Sequence, residues 1–176
     1  MERAVAARRL ANRGDRWRVC GDPTRQHGRT TLPAVAHPFT HAIRVRYGEC
    51  DPQGVVFNAN WLGYFDVVIT ELWRERVGDY SGMIEAGADM MVAEANVRFL
   101  GPARFDDVVD FEFTVTRLGE TALGTRIDAS VEARPVAQGA MRHVFVEPGT
   151  NRKRPIPDHI REALSPLLVE EEAAPA

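Results

Sequence analysis

Between Asn58 and Val77 the chain places Trp61, Leu62, Tyr64, Phe65, Val68, Ile69, Leu72 and Trp73 at spacings of three and four. This spacing predicts a helix that Gly78 stops, and its apolar residues fall on more than one face. A helix on a surface keeps one side polar, so this one must be enclosed. The material to enclose it follows in four segments dense in Val, Phe, Met and Ile: residues 90–100, 107–118, 122–134 and 139–147. In two of them the alternation is clean. Val109, Phe111, Phe113 and Val115 oppose Asp110, Glu112, Thr114 and Thr116, while Leu123, Ile127, Ala129, Val131 and Ala133 oppose Gly124, Arg126, Asp128, Ser130 and Glu132. That is the period of strands with one buried face. A further strand precedes the helix, where Ile43, Val45 and Tyr47 alternate with Arg44 and Arg46. Pro155 and Pro157 close the sheet region, and Asp158 is expected to cap a short helix to about Leu164. Strand, helix, then four strands predicts an α+β fold, an antiparallel five-stranded sheet wrapped around a central helix.

The chain's 176 residues suffice for one domain, and a composition 44% hydrophobic and 27% charged excludes a collagen, a coiled coil or a wholly disordered chain. The formal charge of −3 is unevenly spread: residues 1–37 carry eight Arg against three acids, and the remainder carries fourteen Lys and Arg against twenty-two acids. An acidic body is a poor surface for nucleic acid or an anionic membrane. The basic arm, residues 1–37, lacks a sustained period and is expected to be largely disordered, with a short Ala/Arg helix as the alternative. Residues 38–165 are expected to form the folded domain, and 166–176 a flexible acidic tail. Cys20 and Cys50 fit no metal or redox spacing, no apolar signal segment opens the chain, and no apolar run approaches the roughly 18 residues a membrane span needs. A reducing cytoplasm is the expected compartment. His27, His37, His41, His143 and His159 lie at no metal-ligand spacing, no Ser occupies a Gly-x-Ser-x-Gly elbow, and there is no phosphate-binding glycine loop.

Chemistry is concentrated between the first strand and the helix. Asp51-Pro52-Gln53-Gly54 has the residue preferences of a type I turn, and it sets a carboxylate seven residues before Asn58, near the positive end of the helix dipole. An Asp at this turn position also bonds its own turn amides, which is a purely structural use. Glu49 reads either as a partner tuning Asp51 or as a solvated carboxylate at a strand end, and Cys50 as a small hydrophobe. Asp106 and Asp107 read as turn residues, the first solvated and the second capping the turn.

The run Tyr47-Gly48-Glu49-Cys50-Asp51-Pro52-Gln53-Gly54-Val55-Val56-Phe57-Asn58-Ala59-Asn60-Trp61, with Tyr64-Phe65 beyond, resembles the active-site segment of hotdog-fold acyl-CoA thioesterases of the 4-hydroxybenzoyl-CoA thioesterase type. The run from Val97 to Val108, with Gly101-Pro102 at its centre, resembles that family's second strand and following turn, and Arg154-Pro155-Ile156-Pro157 its closing segment. The resemblance covers about residues 39–165.

It implies that Asp51 is the catalytic carboxylate, as nucleophile or as general base on water, and that the backbone N–H of Asn58 polarises the thioester carbonyl. It further implies a substrate site drawn from Gly54, Val55, Phe57, Trp61, Arg98 and Arg154, with Arg104 and the Arg152-Lys153-Arg154 cluster as other candidates for the coenzyme A phosphates. Tyr64, Phe65 and Trp73 read either as pocket lining or as plain core. No metal or cofactor is implied. The expected assembly is a homodimer, often paired into a tetramer, and the expected substrate an acyl-CoA. Carrier-protein-bound thioesters, or a non-catalytic acyl-CoA-binding role, are the alternatives.

Overall fold

Alternation along the middle of the chain becomes a five-stranded antiparallel sheet in the computed structural model, which describes residues 38–169. The strands are β1 (Phe39–Arg44), β2 (Asp89–Phe99), β3 (Val108–Leu118), β4 (Ala122–Val131) and β5 (Arg134–Val146), in spatial order β1-β3-β4-β5-β2. Helix α1 (Asn60–Leu72) lies across the sheet and ends in a wider π turn, Trp73–Val77, which Gly78 terminates with φ of 118°. Two short helices follow, α2 (Tyr80–Glu85) before β2 and α3 (Asp158–Leu164) after β5. This is the α+β hotdog arrangement that the resemblance implies. Residues 1–37, where the basic arm is expected, lie outside the described residues.

The core forms where one face of α1 meets one face of the sheet. Trp61, Tyr64, Phe65, Val68, Ile69 and Leu72 are buried on the helix side, against Val109, Phe111, Phe113, Val115, Leu123, Ile127 and Phe145 of the strands. Complete burial of a side chain such as Phe65 or Leu72 stabilises by roughly 1.5–3 kcal/mol relative to exposure. The enclosure is one-sided, however: Leu62 and Val67 remain 44% and 43% exposed on the outer face of α1.

Close approach of helix and sheet depends on one missing side chain. A Cβ at Gly139 of β5 would stand 2.6 Å from the Phe65 ring, well inside any real contact. Gly139→Ala must therefore push α1 off the sheet, and a urea unfolding curve should show a loss of roughly 1–3 kcal/mol. An unchanged midpoint would mean that Phe65 has another place to go.

Several boundaries differ from those expected of the sequence. The first strand stops at Arg44, because the Arg46 N–H donates to Glu49 Oε2 at 2.6 Å and the Glu49 N–H to the Arg46 carbonyl at 3.1 Å, closing a 3-10 turn over Tyr47–Glu49. Tyr47 is thereby 83% exposed rather than a buried strand residue. The last strand begins at Arg134, five residues before the expected start at Gly139, since Glu132 and Ala133 turn the chain with φ of 49° and 64°. Two successive positive φ values make the hairpin turn that matches strand twist, usually signalled by Asn-Gly. Glu-Ala gives no such signal. Helix α2 was not expected; Asp79 caps it by accepting from the Ser81 and Gly82 N–H groups at 3.1 and 3.2 Å. Asp158 proves to be the first residue of α3 rather than its cap, which Pro157 occupies. Nor does a tail begin at residue 166. Leu167 is buried and the Val169 N–H donates to the Val115 carbonyl at 2.9 Å, so ordered chain reaches Val169. Residues 170–176 lie outside the described residues.

Candidate active site before helix α1

The type I turn forms as its residues dictate. The Gly54 N–H donates to the Asp51 carbonyl at 2.9 Å, and the Asp51 N–H to the Val55 carbonyl at 2.9 Å. Gly54 takes φ of 74°, a conformation that any side chain would strain. Asp51 does use its side chain in the turn: Oδ1 accepts from Gln53 N–H at 2.8 Å and from Val55 N–H at 3.5 Å. Oδ2 has no hydrogen-bond partner among the described residues. One oxygen thus fixes the carboxylate and the other is left unpaired among the described residues.

Glu49 fastens this turn to the helix, a role outside both expectations for it. Its carboxylate Oε2 accepts from Tyr64 O–H of α1 at 2.6 Å as well as from the Arg46 N–H. Its backbone carbonyl accepts from the Phe57 N–H at 2.9 Å and from Asn60 Nδ2 at 2.8 Å. Burial, and then the Glu49 carboxylate, push the Tyr64 phenol well above its ordinary pKa, so it stays a proton donor. The chain between Glu49 and Asn60 is therefore held at both ends. Within it the Asn58 N–H has no partner among the described residues, two residues before the first residue of α1.

The Asp51 turn and the Asn58 N–H share one cleft of about 540 Å³, lined by Asp51, Val55, Phe57, Asn58 and Trp61 on the helix side and by Phe99, Gly101, Pro102 and Ala103 on the other. Five of the eight expected site residues meet there. Gly54 sits just behind the lining. Arg98 lies on β2, donating to Gln138 Oε1 at 3.3 Å, and Arg154 donates to the Gly87 carbonyl beyond the opposite end of β2. Tyr64 and Phe65 are core, while Trp73 lines a separate cavity. Asp107 caps its turn through the Arg104 N–H at 2.7 Å, and Asp106 stays exposed to water as expected while also pairing with Arg44 at 3.1 Å.

Two basic groups stand at the rim. Arg104 Nη1 reaches the Gly54 carbonyl at 3.5 Å, and Arg134 Nη1 the Pro102 carbonyl at 3.1 Å. Among the described residues neither has a carboxylate partner. Arg134 could not be read from the sequence, because only the unsignalled hairpin at Glu132-Ala133 brings it beside Gly101. Among the described residues no group of three or more His, Cys, Asp or Glu side chains is placed to hold a metal, and no helix is long and apolar enough to cross a membrane.

The profile of the thioesterase-like superfamily matches residues 45–164. A protein of Aquifex aeolicus named only as a candidate esterase is 27% identical over 112 residues, 64% of this chain and 88% of that protein. The acyl-CoA thioester hydrolase YbgC of Escherichia coli is 24% identical over 123 residues, 69% of this chain and 92% of its own. Among solved structures, the Thermus thermophilus protein TT1821 superposes with a TM-score of 0.67 at 30% identity, over 73% of this chain and 98% of that one.

Proposed function

The chain belongs to the thioesterase-like superfamily, and we propose that it hydrolyses an acyl-CoA thioester to the free acid and coenzyme A in the Asp51 cleft. One observation carries the reading: a carboxylate with a single oxygen tied down faces the same cleft as an unpaired N–H at the entry to a helix. Attack on a thioester carbonyl builds negative charge on its oxygen. The Asn58 N–H receives that charge, and the positive end of the α1 dipole supports it.

Asp51 Oδ2 serves in one of two ways. As nucleophile it bonds to the carbonyl carbon, the carbon–sulfur bond breaks, coenzyme A leaves as thiolate and takes a proton from water, and a second water cleaves the anhydride to restore the carboxylate. As general base it takes the proton of a water whose oxygen bonds to that carbon; the carbon–sulfur bond then breaks and the leaving thiolate takes the proton from Asp51, departing as coenzyme A and restoring the carboxylate. Rapid-quench mass spectrometry of the Asp51 peptide separates the routes, because only the first adds an acyl group to it. Neither needs a metal or a cofactor.

Arg104 and Arg134, free of carboxylates at the rim, meet the substrate's phosphates. The chain acts as a homodimer, pairing further into a tetramer, in the cytoplasm, where Cys50 stays a thiol. Support for assembly comes from β2, a sheet-edge strand whose Met91, Val92 and Phe99 are exposed, with Leu100 exposed just beyond its end; a long apolar edge invites a second copy.

Thiol release from aromatic, short-chain and long-chain acyl-CoAs, beside matched carrier-protein thioesters, tests the activity; no release from any of them would end the reading. The double change Arg104→Ala, Arg134→Ala should raise KM for the coenzyme A ester roughly tenfold while leaving the phosphate-free N-acetylcysteamine thioester unaffected. Light scattering should give at least a dimer.

A further inference from the structure

A second cavity, about 480 Å³, opens at the other end of α1, between Trp73 of the helix, Tyr80 of α2, Met90 and Val92 of β2, and His143 of β5. Its walls hold an uncommon pair of atoms. Trp73 and His143 are each 2% exposed, and among the described residues neither Trp73 Nε1 nor His143 Nδ1 has a hydrogen-bond partner. Buried polar side-chain atoms are paired in the large majority of cases, because leaving one unpaired forfeits its hydration with nothing in return. His143 Nε2 likewise finds no partner among the described residues. His143 lines the cavity, so this second unpaired ring nitrogen is the one offered to a ligand there. Aromatic and aliphatic walls around a few unused polar atoms describe a ligand site.

The topology relates this cavity to the Asp51 cleft. The cleft lies at the Phe99 end of β2 and the cavity at its Met90–Val92 end, and all three side chains turn toward the α1 side of the sheet. Antiparallel pairing of the free β2 edge with a second copy, if centred on the middle of the strand, sets Phe99 of one chain opposite the start of β2 in the other. The cavity of one protomer then opens beside the cleft of its partner.

We infer that this cavity holds the far end of the acyl group bound at the partner's Asp51, and that it selects acyl groups carrying a hydroxyl or carbonyl oxygen there. The inference rests on the thioesterase reading above. The oxygen hydrogen-bonds His143 Nε2, donating to it or accepting from it according to the tautomer. An acyl group without that oxygen leaves the imidazole desolvated and unpaired, and is therefore disfavoured.

The test compares kcat/KM for pairs of acyl-CoAs that differ only by a remote hydroxyl. The native enzyme should favour the hydroxylated member by roughly tenfold to a hundredfold. His143→Leu should bring the ratio near one, and His143→Gln, which keeps a hydrogen-bonding group near the Nε2 position, should restore part of it; melting curves establish that both variants fold. Mixed dimers then locate the site. With excess Asp51→Asn protein, all turnover by His143→Leu chains uses their own Asp51 beside the cavity of the Asp51→Asn partner, so the native preference should return. A ratio near one in the native enzyme, a ratio unmoved in both folded variants, or mixed dimers that stay unselective would overturn the inference while leaving the hydrolase intact. An absence of turnover on every thioester would sink the thioesterase reading instead.

Discussion

Asp51→Asn should lower kcat for acyl-CoA hydrolysis by roughly 10²–10⁴-fold, the usual contribution of a positioned base or nucleophile, with little change in KM. The substitution is informative because the structural use of Asp51 and its proposed chemical use fall on different oxygens. Oδ1 accepts from Gln53 and Val55 N–H groups, and an Asn side-chain oxygen can accept from both. The turn therefore survives, Gly54 keeps its place, and the melting temperature stays within a few degrees of the native value. Charge and nucleophilicity go, since an amide neither bonds to a thioester carbon nor takes a proton from water. Thiol-release kinetics on the best substrate of the panel decide the matter. Undiminished turnover would show Asp51 to be a turn residue and nothing more, whereas lost turnover with an intact melt assigns it the chemistry. Asn58→Ala provides the contrast: because the proposed donor is the backbone N–H, it should leave kcat within a few-fold.

The division of Asp51 between two uses also shows how far the sequence could be read. Alternation over residues 108–131 is a local signal, and it returned β3 and the inward face of β4 at almost every position. The run from Asp51 through Trp61 is equally local, and seven of its residues line the cleft together. What sequence could not supply depended on partners distant in the chain. Tyr47 continues the alternation of β1, yet the Glu49 carboxylate captures the Arg46 N–H and ends the strand. Glu49 in turn is explained by Tyr64, fifteen residues on. Arg134 reaches the rim only through a turn whose residues, Glu132 and Ala133, carry none of the usual signs of positive φ. His143 occupies one inward position among several in β5, and nothing about its neighbours marks it as the buried imidazole of a cavity.

That imidazole makes the protein sensitive to acid. Burial pushes the His143 pKa down from 6.5 to about 4, against the smaller opposing pull of the Asp66 carboxylate across the cavity. The unfolded chain, with its ordinary histidine, therefore takes up a proton at higher pH than the folded one does. Stability contributed by the neutral, buried ring is fully present above about pH 6.5, falls as the pH drops through that value, and reaches its full loss only below about 4. A shift of this size corresponds to about 3 kcal/mol, a large share of the 5–15 kcal/mol that a domain ordinarily holds. Arg74, Asp79 and Tyr80 line the same cavity, and carboxylates elsewhere also titrate toward the lower end of the window, so the comparison must be made between chains that share them. Urea unfolding of the native protein and of His143→Gln at pH 7.5 and 4.5 supplies it. The native protein should lose about 2–3 kcal/mol more than the variant between the two conditions. Equal losses would mean that the folded state admits a protonated His143, by water entering the cavity or by Asp66 closing on the ring.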